Sequence, residues 1–311
     1  MRAEIVEETL FSMGIKPEDC KLIGGYSGNV FEVDGEYSAI LKILDRSEVD
    51  EAGLLAEMEW LHYLHSAGVK VARPLRVDGN AFIRHIGNEH YCVMYEKLIG
   101  QAVSPADPKL WNPATFRQWG ETMGQIHAAA ARYGGHQGLP QWYGNSVYHA
   151  VQSADINSRI IEKWEQYRRE FAALPVAGDS YGLIHGDMHH GNLLAGEDSL
   201  YVIDFGDSEH HWFAYDIAIA IYHSGQTAAA GDREHFTAEF CKAFMQGYKQ
   251  SHSTVPSLEE IGYFIEYRHL YSFIYHCLYA DKSSLSPAQL RYLEDMESSV
   301  LSGRPYVTGF S

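Results

Sequence analysis

Most of the first hundred residues fall in short strand-like runs, with helical spacing only near 3–13 and 47–68; beyond them the chain is mostly helical by pattern. "CKLIGG", "NVFEVDGEYSAILKIL" and "AFIRHIGNEHYCVMYEKL" are short runs rich in Val, Ile, Tyr and Phe, and they read as strands. Asp34-Gly35 is a two-residue hairpin signal between two of them, and Gly87-Asn88 marks another turn. Residues 3–13 carry Ile5, Val6, Leu10 and Met13 at helical spacing, with Gly14 as a stop. One further helix lies among the strands, "SEVDEAGLLAEMEWLHYLHSAG". Ser47 can cap it, Gly68 can end it, and Leu54, Met58, Leu61 and either Leu64 or His65 line one face. The first hundred residues therefore read as an antiparallel sheet with one inserted helix.

After "EKLIGQAVSPADP" the pattern turns helical. "NPATFRQWGETMGQIHAAAARY" opens with an Asn cap and a Pro in its first turn. "INSRIIEKWEQYRREFAAL" is a second helix, and segments near 232–250, 258–280 and 286–301 follow the same period. The only strand-like stretch here is "LIHGDMHHGNLLAGEDSLYVIDFGD", Leu183 to Asp207. The expected class is α+β, with a small sheet lobe over 1–96, a connector near Glu96–Gly100 and a larger, mainly helical lobe over 97–311. A chain of 311 residues that is 46% hydrophobic has ample core for this. A cleft between two lobes is a favoured ligand site.

The formal charge is −17, from 24 basic and 41 acidic residues, which argues against nucleic acid or an anionic membrane as partner. Cys20, Cys92, Cys241 and Cys277 form no CxxC pair, and scattered cysteines fit buried thiols in a reducing compartment. The amphipathic start has no signal-peptide core, and no apolar run is long enough to span a bilayer, so a soluble cytoplasmic protein is expected.

The stretch from Leu183 to Asp207 concentrates acidic groups and histidines beside apolar runs. "NLLA" and "SLYVID" flank the turn cluster "GEDS". A hairpin centred near Asp198 sets Asn192 and Asp204 opposite each other, and opposed residues lie roughly 4.5–5.5 Å apart at Cα. An amide and a carboxylate are oxygen ligands for a hard cation such as magnesium, whereas zinc favours imidazole or thiolate. A zinc reading would use His185 and His189, four apart, but "HGDMH" is not HExxH, and glycine interrupts the helix that spacing needs. His185 is expected to fix the loop by hydrogen bonding, and His189 and His190 to be structural or exposed.

Asp187 stands five before Asn192, the spacing of the protein-kinase catalytic loop HRDxxxxN, and Asp204-Phe205-Gly206 reads as DFG. In that chemistry the loop Asp accepts or orients the hydroxyl proton, and the Asn and the DFG Asp hold magnesium on the phosphates. Upstream, "IGGYSGNV" fits GxGxxGxV with Ile23 in place of the first glycine, so that Gly25, Gly28 and Val30 match. Lys42, ending "AILK", stands where a strand lysine would reach the α- and β-phosphates. Glu57 or its neighbour Glu59 could pair with it from the inserted helix; spacing alone does not choose.

These segments resemble the aminoglycoside phosphotransferase and choline kinase superfamily of small-molecule kinases. "HGDMHHGN" is similar to its catalytic loop, "VIDFGD" to its metal-binding segment and "AYDIAIAI" to the helix that follows. "EMEWLHYLHSAGVKVARPL" is similar to its helix and the loop beyond, which favours Glu57 over Glu59. "VMYEKLIG" occupies the connector that contacts adenine there, which implicates Glu96 and Leu98. The resemblance implies a bilobal protein-kinase-like fold, ATP and Mg2+ as cofactors, and phosphorylation of a hydroxyl on a small molecule. Asp216 resembles a structural aspartate that orders the loop after DFG. Two other readings stand beside this one. A protein kinase would need a peptide platform, yet no APE tripeptide occurs and an apolar helix begins soon after Asp216. An inactive nucleotide-binding scaffold should have lost Lys42, Asp187, Asn192 or Asp204, and all are present. The acceptor is expected to carry an amine, because Asp207 and Glu209 follow DFG and the helix "EYRHLYSFIYHCLYA" offers Glu266, Tyr267, Tyr271 and Tyr275 as a facing wall. Oligomeric state is left open.

Overall fold

The computed structural model describes residues 1–25, 28–34, 38–135, 138–153, 156–229, 231–281 and 283–307. In chain order it runs α1 (Ala3–Met13), β1 (Cys20–Gly24), β2 (Val30–Val33), β3 (Ala39–Asp45), α2 (Glu51–Ser66), β4 (Pro74–Leu75), β5 (Arg84–Ile86), β6 (His90–Glu96) and β7 (Gln101–Ala102). Then come α3 (Pro113–Ala130), α4 (Ser146–Ala150), α5 (Ser158–Ala173), β8 (Tyr181–Ile184), β9 (Leu193–Ala195), β10 (Leu200–Val202), β11 (Glu209–Trp212), α6 (Phe213–Gln226), α7 (Arg233–Ser251), α8 (Leu258–Tyr279) and α9 (Pro287–Ser302). The chain divides into two compact units. The first comprises Met1–Ala102, Tyr133–Leu139 and Leu194–Gly206; the second comprises Val103–Arg132, Pro140–Leu193 and Asp207–Ser311.

The first unit is built on a sheet of order β1-β2-β3-β6-β4, with β5 also paired to β6. Period-two burial along β3 explains its two faces: Ala39, Leu41 and Ile43 are buried, whereas Ile40, Lys42 and Leu44 are only partly so. Leu41 and Ile43 join Phe31, Val33, Ile86 and Cys92 in a core that Ile5 and Leu10 of α1 close. Lys42, opposite Val30 and Val93 in the ladder, stands on the other face. Gly14 ends α1 and Gly68 follows the end of α2, both in left-handed conformation, as their positions suggested. The cap of α2 differs from expectation. Asp50, not Ser47, accepts the Gly53 amide, because Ser47 is already bonded through N and Oγ to Asp45 Oδ1 at 2.8 and 2.7 Å. Gly87, at φ 54°, turns β5 into β6 as the Gly87-Asn88 pair suggested. In the Asp34-Gly35 turn, Gly35 lies outside the described residues, as do Tyr26 and Ser27 of the glycine loop.

The second unit is mainly helical. Asn112 caps α3 through the amides of Ala114 and Thr115, with Pro113 in the first turn. A two-stranded sheet, β8 against β11, lies among these helices, pairing Ile184 with Glu209 and Tyr181 with Trp212. β11 has no counterpart in the sequence reading. Its "EHHW" carries no alternation, and all four residues are buried. No helix among the described residues is long and apolar enough to cross a membrane.

Candidate active site

In the first unit, Lys42 Nζ lies 3.2 Å from Asp204 Oδ1. Asp204 is set at an unusual backbone position. Among the described residues it alone of the non-glycines has positive φ, 64°. Asp and Asn tolerate that region better than other side chains, and strain of this kind concentrates at functional sites. Phe205 beside it is buried and anchors the turn. Glu57 faces inward from α2, 9% exposed, and accepts the Tyr95 hydroxyl at 3.3 Å; Glu59 is exposed. Helix geometry thus settles which of the two glutamates is internal. The glycine loop leaves β1 through Gly25 at φ 89° and returns through Gly28 at φ 59°, closed by the Gly28 amide on the Gly25 carbonyl at 3.0 Å. Asn29, whose amide donates to the Ile43 carbonyl at 2.9 Å, ties that return to β3. At the connector, Arg73 Nε donates to Glu96 Oε2 at 3.0 Å, and Leu98 is partly buried.

In the second unit, the loop from His185 to Asn192 follows β8. Gly186 adopts φ 82°, and a Cβ there would fall 2.2 Å from the Asp207 carbonyl oxygen. No other residue type fits, which is the physical reason for "HGD" where a protein kinase has HRD. The buried His185 accepts the Asp187 amide on Nδ1 at 3.2 Å. His189 accepts the Gly191 amide on Nδ1 at 2.9 Å, so its Nε2 carries the proton and points to Asp187 Oδ2, 3.4 Å away. Both histidines thus hold the loop. Among the described residues no group of three or more His, Cys, Asp or Glu is placed to hold a metal ion.

Asp216, buried in the first turn of α6, accepts the amides of His185 at 3.0 Å and Gly186 at 3.1 Å, and bonds His127 Nε2 at 3.1 Å. Burial works against its charge, but the His127 hydrogen bond and charge hold it below the usual carboxylate range. The carboxylate steadies the loop that carries Asp187, because α6 starts beside β8, where the Phe213 amide meets the Ser180 carbonyl.

Asp187 itself is approached by a residue that sequence reading passed over. Arg268 Nη2 donates to its Oδ1 at 2.7 Å from α8, and the arginine is 8% exposed. Burial raises the Asp187 carboxyl, yet the His189 hydrogen bond and the Arg268 charge outweigh it and hold Asp187 well below the usual range. The one available signal was an arginine inside the aromatic run "EYRHLYSF", where a charged residue must find a partner.

Asn192 ends the loop. Its Nδ2 donates to the Asp187 carbonyl at 2.9 Å, which leaves its side-chain oxygen as the atom to meet a cation. The turn between β9 and β10 closes with the Gly196 amide on the Ser199 carbonyl at 2.8 Å. Neither Asn192, in a 3-10 turn, nor Asp204 is a strand residue, so the ladder spacing does not describe that pair. Their chemistry, an amide oxygen and a carboxylate, fits a hard divalent cation.

The expected acceptor wall is core at one of its four positions. Tyr267 is 1% exposed, and Glu266 accepts the Tyr306 amide at 2.6 Å. Tyr271 is half-buried and Tyr275 exposed. Asp207 is exposed, but Glu209 is buried in β11, where Asn145 donates to it at 3.1 Å. Burial pushes the Glu209 carboxyl up to about 8, with the Asn145 bond acting against it. Folding therefore keeps a proton that the unfolded chain releases near pH 4.3. Glu209 contributes most stability below that pH and loses it as pH rises through 8. A Glu209→Gln variant is expected to lack this decline and to gain on the order of 2–5 kcal/mol on wild type between pH 5 and 9. Urea unfolding at both pH values checks it; parallel profiles would mean that Glu209 is ionised in the native state.

The comparisons with known proteins agree with this geometry. A model of the phosphotransferase enzyme family matches residues 19–254. The chain is 26% identical to the amicoumacin kinase of Bacillus subtilis (strain 168), over 99% of this chain and 94% of that one. Among solved structures it is similar to an amicoumacin kinase in complex with AMP-PNP, Ca2+ and Ami, at TM-score 0.88 and 24% identity, covering 100% of this chain and 99% of the other. It is also similar to a microcompartment-associated aminopropanol kinase, at TM-score 0.72 and 16% identity, covering 96% and 97%. The structural likenesses show a shared α+β, kinase-like fold.

Proposed function

Since the chain belongs to the phosphotransferase enzyme family, we propose that it transfers the γ-phosphoryl group of ATP to a hydroxyl of a small, amine-bearing molecule. The observation that carries this is Asp187, an ionised carboxylate on a loop whose amides Asp216 and His185 hold and whose His189 lies beside it. Asp187 addresses the acceptor hydroxyl. Its charge is too well stabilised for it to take the proton early, so it orients the hydroxyl and receives the proton late, as a loose phosphoryl-transfer transition state allows.

Asn192 and Asp204 are the proposed magnesium ligands. Magnesium bound there would neutralise charge on the β- and γ-phosphates. Lys42 adds a positive charge for the α- and β-phosphates, and Glu57 steadies the lysine from α2. Gly25 and Gly28 let the loop backbone approach phosphate without a side chain intervening. At the connector, the Glu96 carboxylate and amide are both committed to Arg73, so the Glu96 carbonyl and the Leu98 backbone are what this segment offers adenine. The AMP-PNP and Ca2+ held by the similar amicoumacin kinase support ATP and a divalent metal.

The amine on the acceptor is supported by two things. Asp207 presents exposed negative charge directly after the DFG segment. Aminopropanol, the substrate named for one similar structure, joins an amine to a hydroxyl. ADP release with magnesium-ATP is the test, run with amicoumacin, aminopropanol, choline and spectinomycin against neutral sugars and anionic hydroxy acids. Turnover is expected with one or more of the amines. Preferential turnover of a neutral or anionic acceptor refutes the amine and leaves the phosphotransferase assignment standing.

A further inference from the structure

We propose that Arg268 is a positioning residue for phosphoryl transfer, one that fixes the Asp187 carboxylate through a hydrogen-bonded chain running back to α9. The inference rests on the reading of Asp187 given above. Arg268 shares a hydrogen bond with Tyr215 and makes others at the loop and behind it. Nη1 donates to the Gly186 carbonyl at 3.3 Å, Nη2 to Asp187 Oδ1 at 2.7 Å, and Nη2 also to His223 Nε2 at 2.9 Å. Its guanidinium lies 5.4 Å from the Tyr271 ring centroid. Carbonyl and carboxylate belong to consecutive residues, so a forked donor sets both the height and the rotation of the Asp187 side chain. A lysine, with three donors on one rotatable nitrogen, can reach both but does not fix their geometry as a planar fork does.

His223 holds the same nitrogen, with its Nε2 3.9 Å from Asp187 Oδ1. It accepts from Arg268 on Nε2, so its proton is on Nδ1, which donates to Gln226 Oε1 at 3.0 Å. Burial, with Arg268 beside it, keeps His223 neutral, pushed down to about 3. Gln226 Nε2 in turn donates to the Tyr292 hydroxyl at 2.7 Å. Asp187, Arg268, His223, Gln226 and Tyr292 thus form one chain of donors and acceptors joining the loop, α8, α6 and α9. With Oδ1 committed to Arg268, the oxygen left for an acceptor hydroxyl is Oδ2, whose neighbour His189 lies 3.4 Å away on the half-exposed side. A hydroxyl binding at Oδ2 would replace that long contact.

The test is a double-mutant cycle on the full chain, with ADP release from magnesium-ATP, using amicoumacin as acceptor and, in parallel, water. Arg268→Gln is expected to lower kcat on the order of 100-fold, the cost of misplacing one reacting group, with the KM for ATP within about threefold of wild type. Arg268→Lys should recover part of that loss. In an Asp187→Asn background, Arg268→Gln should cost little more, because the two act as one unit. Where Arg268→Gln does not fold, His223→Leu removes the outer acceptor while leaving the guanidinium, and about a tenfold loss of kcat at unchanged KM for ATP is expected. A crystal structure of either variant should show the Asp187 carboxylate rotated. Folded variants with wild-type kcat, an unmoved carboxylate, or equal losses in kcat and ATP affinity overturn the inference. If Asp187→Asn alone is fully active, the reading of Asp187 has failed, a distinct result.

Discussion

Asp187→Asn is expected to lower kcat by about 10³-fold while the protein stays folded. The substitution keeps an oxygen at the Oδ1 position for Arg268, so the buried guanidinium retains a hydrogen bond. It removes the negative charge that accepts the hydroxyl proton, and an amide cannot receive it. The KM for ATP should change little, since Asp187 is assigned to the acceptor and not to the nucleotide. Stability should fall by about 1–3 kcal/mol, because a buried arginine then faces a neutral partner. That loss should shrink in acid. Asp187 titrates lower in the folded chain than in the unfolded one, so its contribution is present above the unfolded carboxylate range and disappears as pH falls below it. Steady-state kinetics and urea unfolding at neutral and acid pH measure both effects. Wild-type turnover in a folded variant would remove Asp187 from the chemistry.

Asp204→Asn is expected to abolish the tightening of nucleotide binding by magnesium and to lower turnover by about 10²-fold or more. Asparagine is the informative substitution, because it shares the tolerance of aspartate for the left-handed backbone seen at φ 64°. Alanine would mix a conformational cost with the loss of charge. The variant also leaves Lys42 without the carboxylate 3.2 Å from it, so the lysine is freer to meet phosphate. Metal-free nucleotide binding should therefore hold or improve slightly. Calorimetric titration of AMP-PNP with and without magnesium separates the two terms. A metal dependence equal to wild type would move the cation site away from Asp204.

Much of the site's raw material is local and legible in the amino-acid sequence. The run "AILK" puts Lys42 on a strand, and β3 carries it there, partly exposed between the buried Leu41 and Ile43. Glycines at positions 14, 68 and 87 mark stops and turns because a left-handed backbone requires them there. The order of Gly25, Lys42, Glu57, Asp187, Asn192 and Asp204 pointed to phosphate chemistry before any coordinate did. Each such signal spans a few residues, and the physics behind it is steric and short-range.

Other features were decided only by tertiary structure. "EHHW", which carries no alternation, became a buried strand because β8 pairs along its whole length and all four of its residues are buried. Ser47 lost the cap of α2 to Asp50 through competition from Asp45. Glu266 and Tyr267, plausible as a ligand wall, are taken up by the C-terminal segment and the core. Arg268 meets Asp187 across 81 positions of sequence. No periodicity encodes that meeting. A charge buried on a helix takes whichever opposite charge the packing of distant segments brings within reach, and the cost of leaving it unpaired makes the pairing obligatory once those segments have packed.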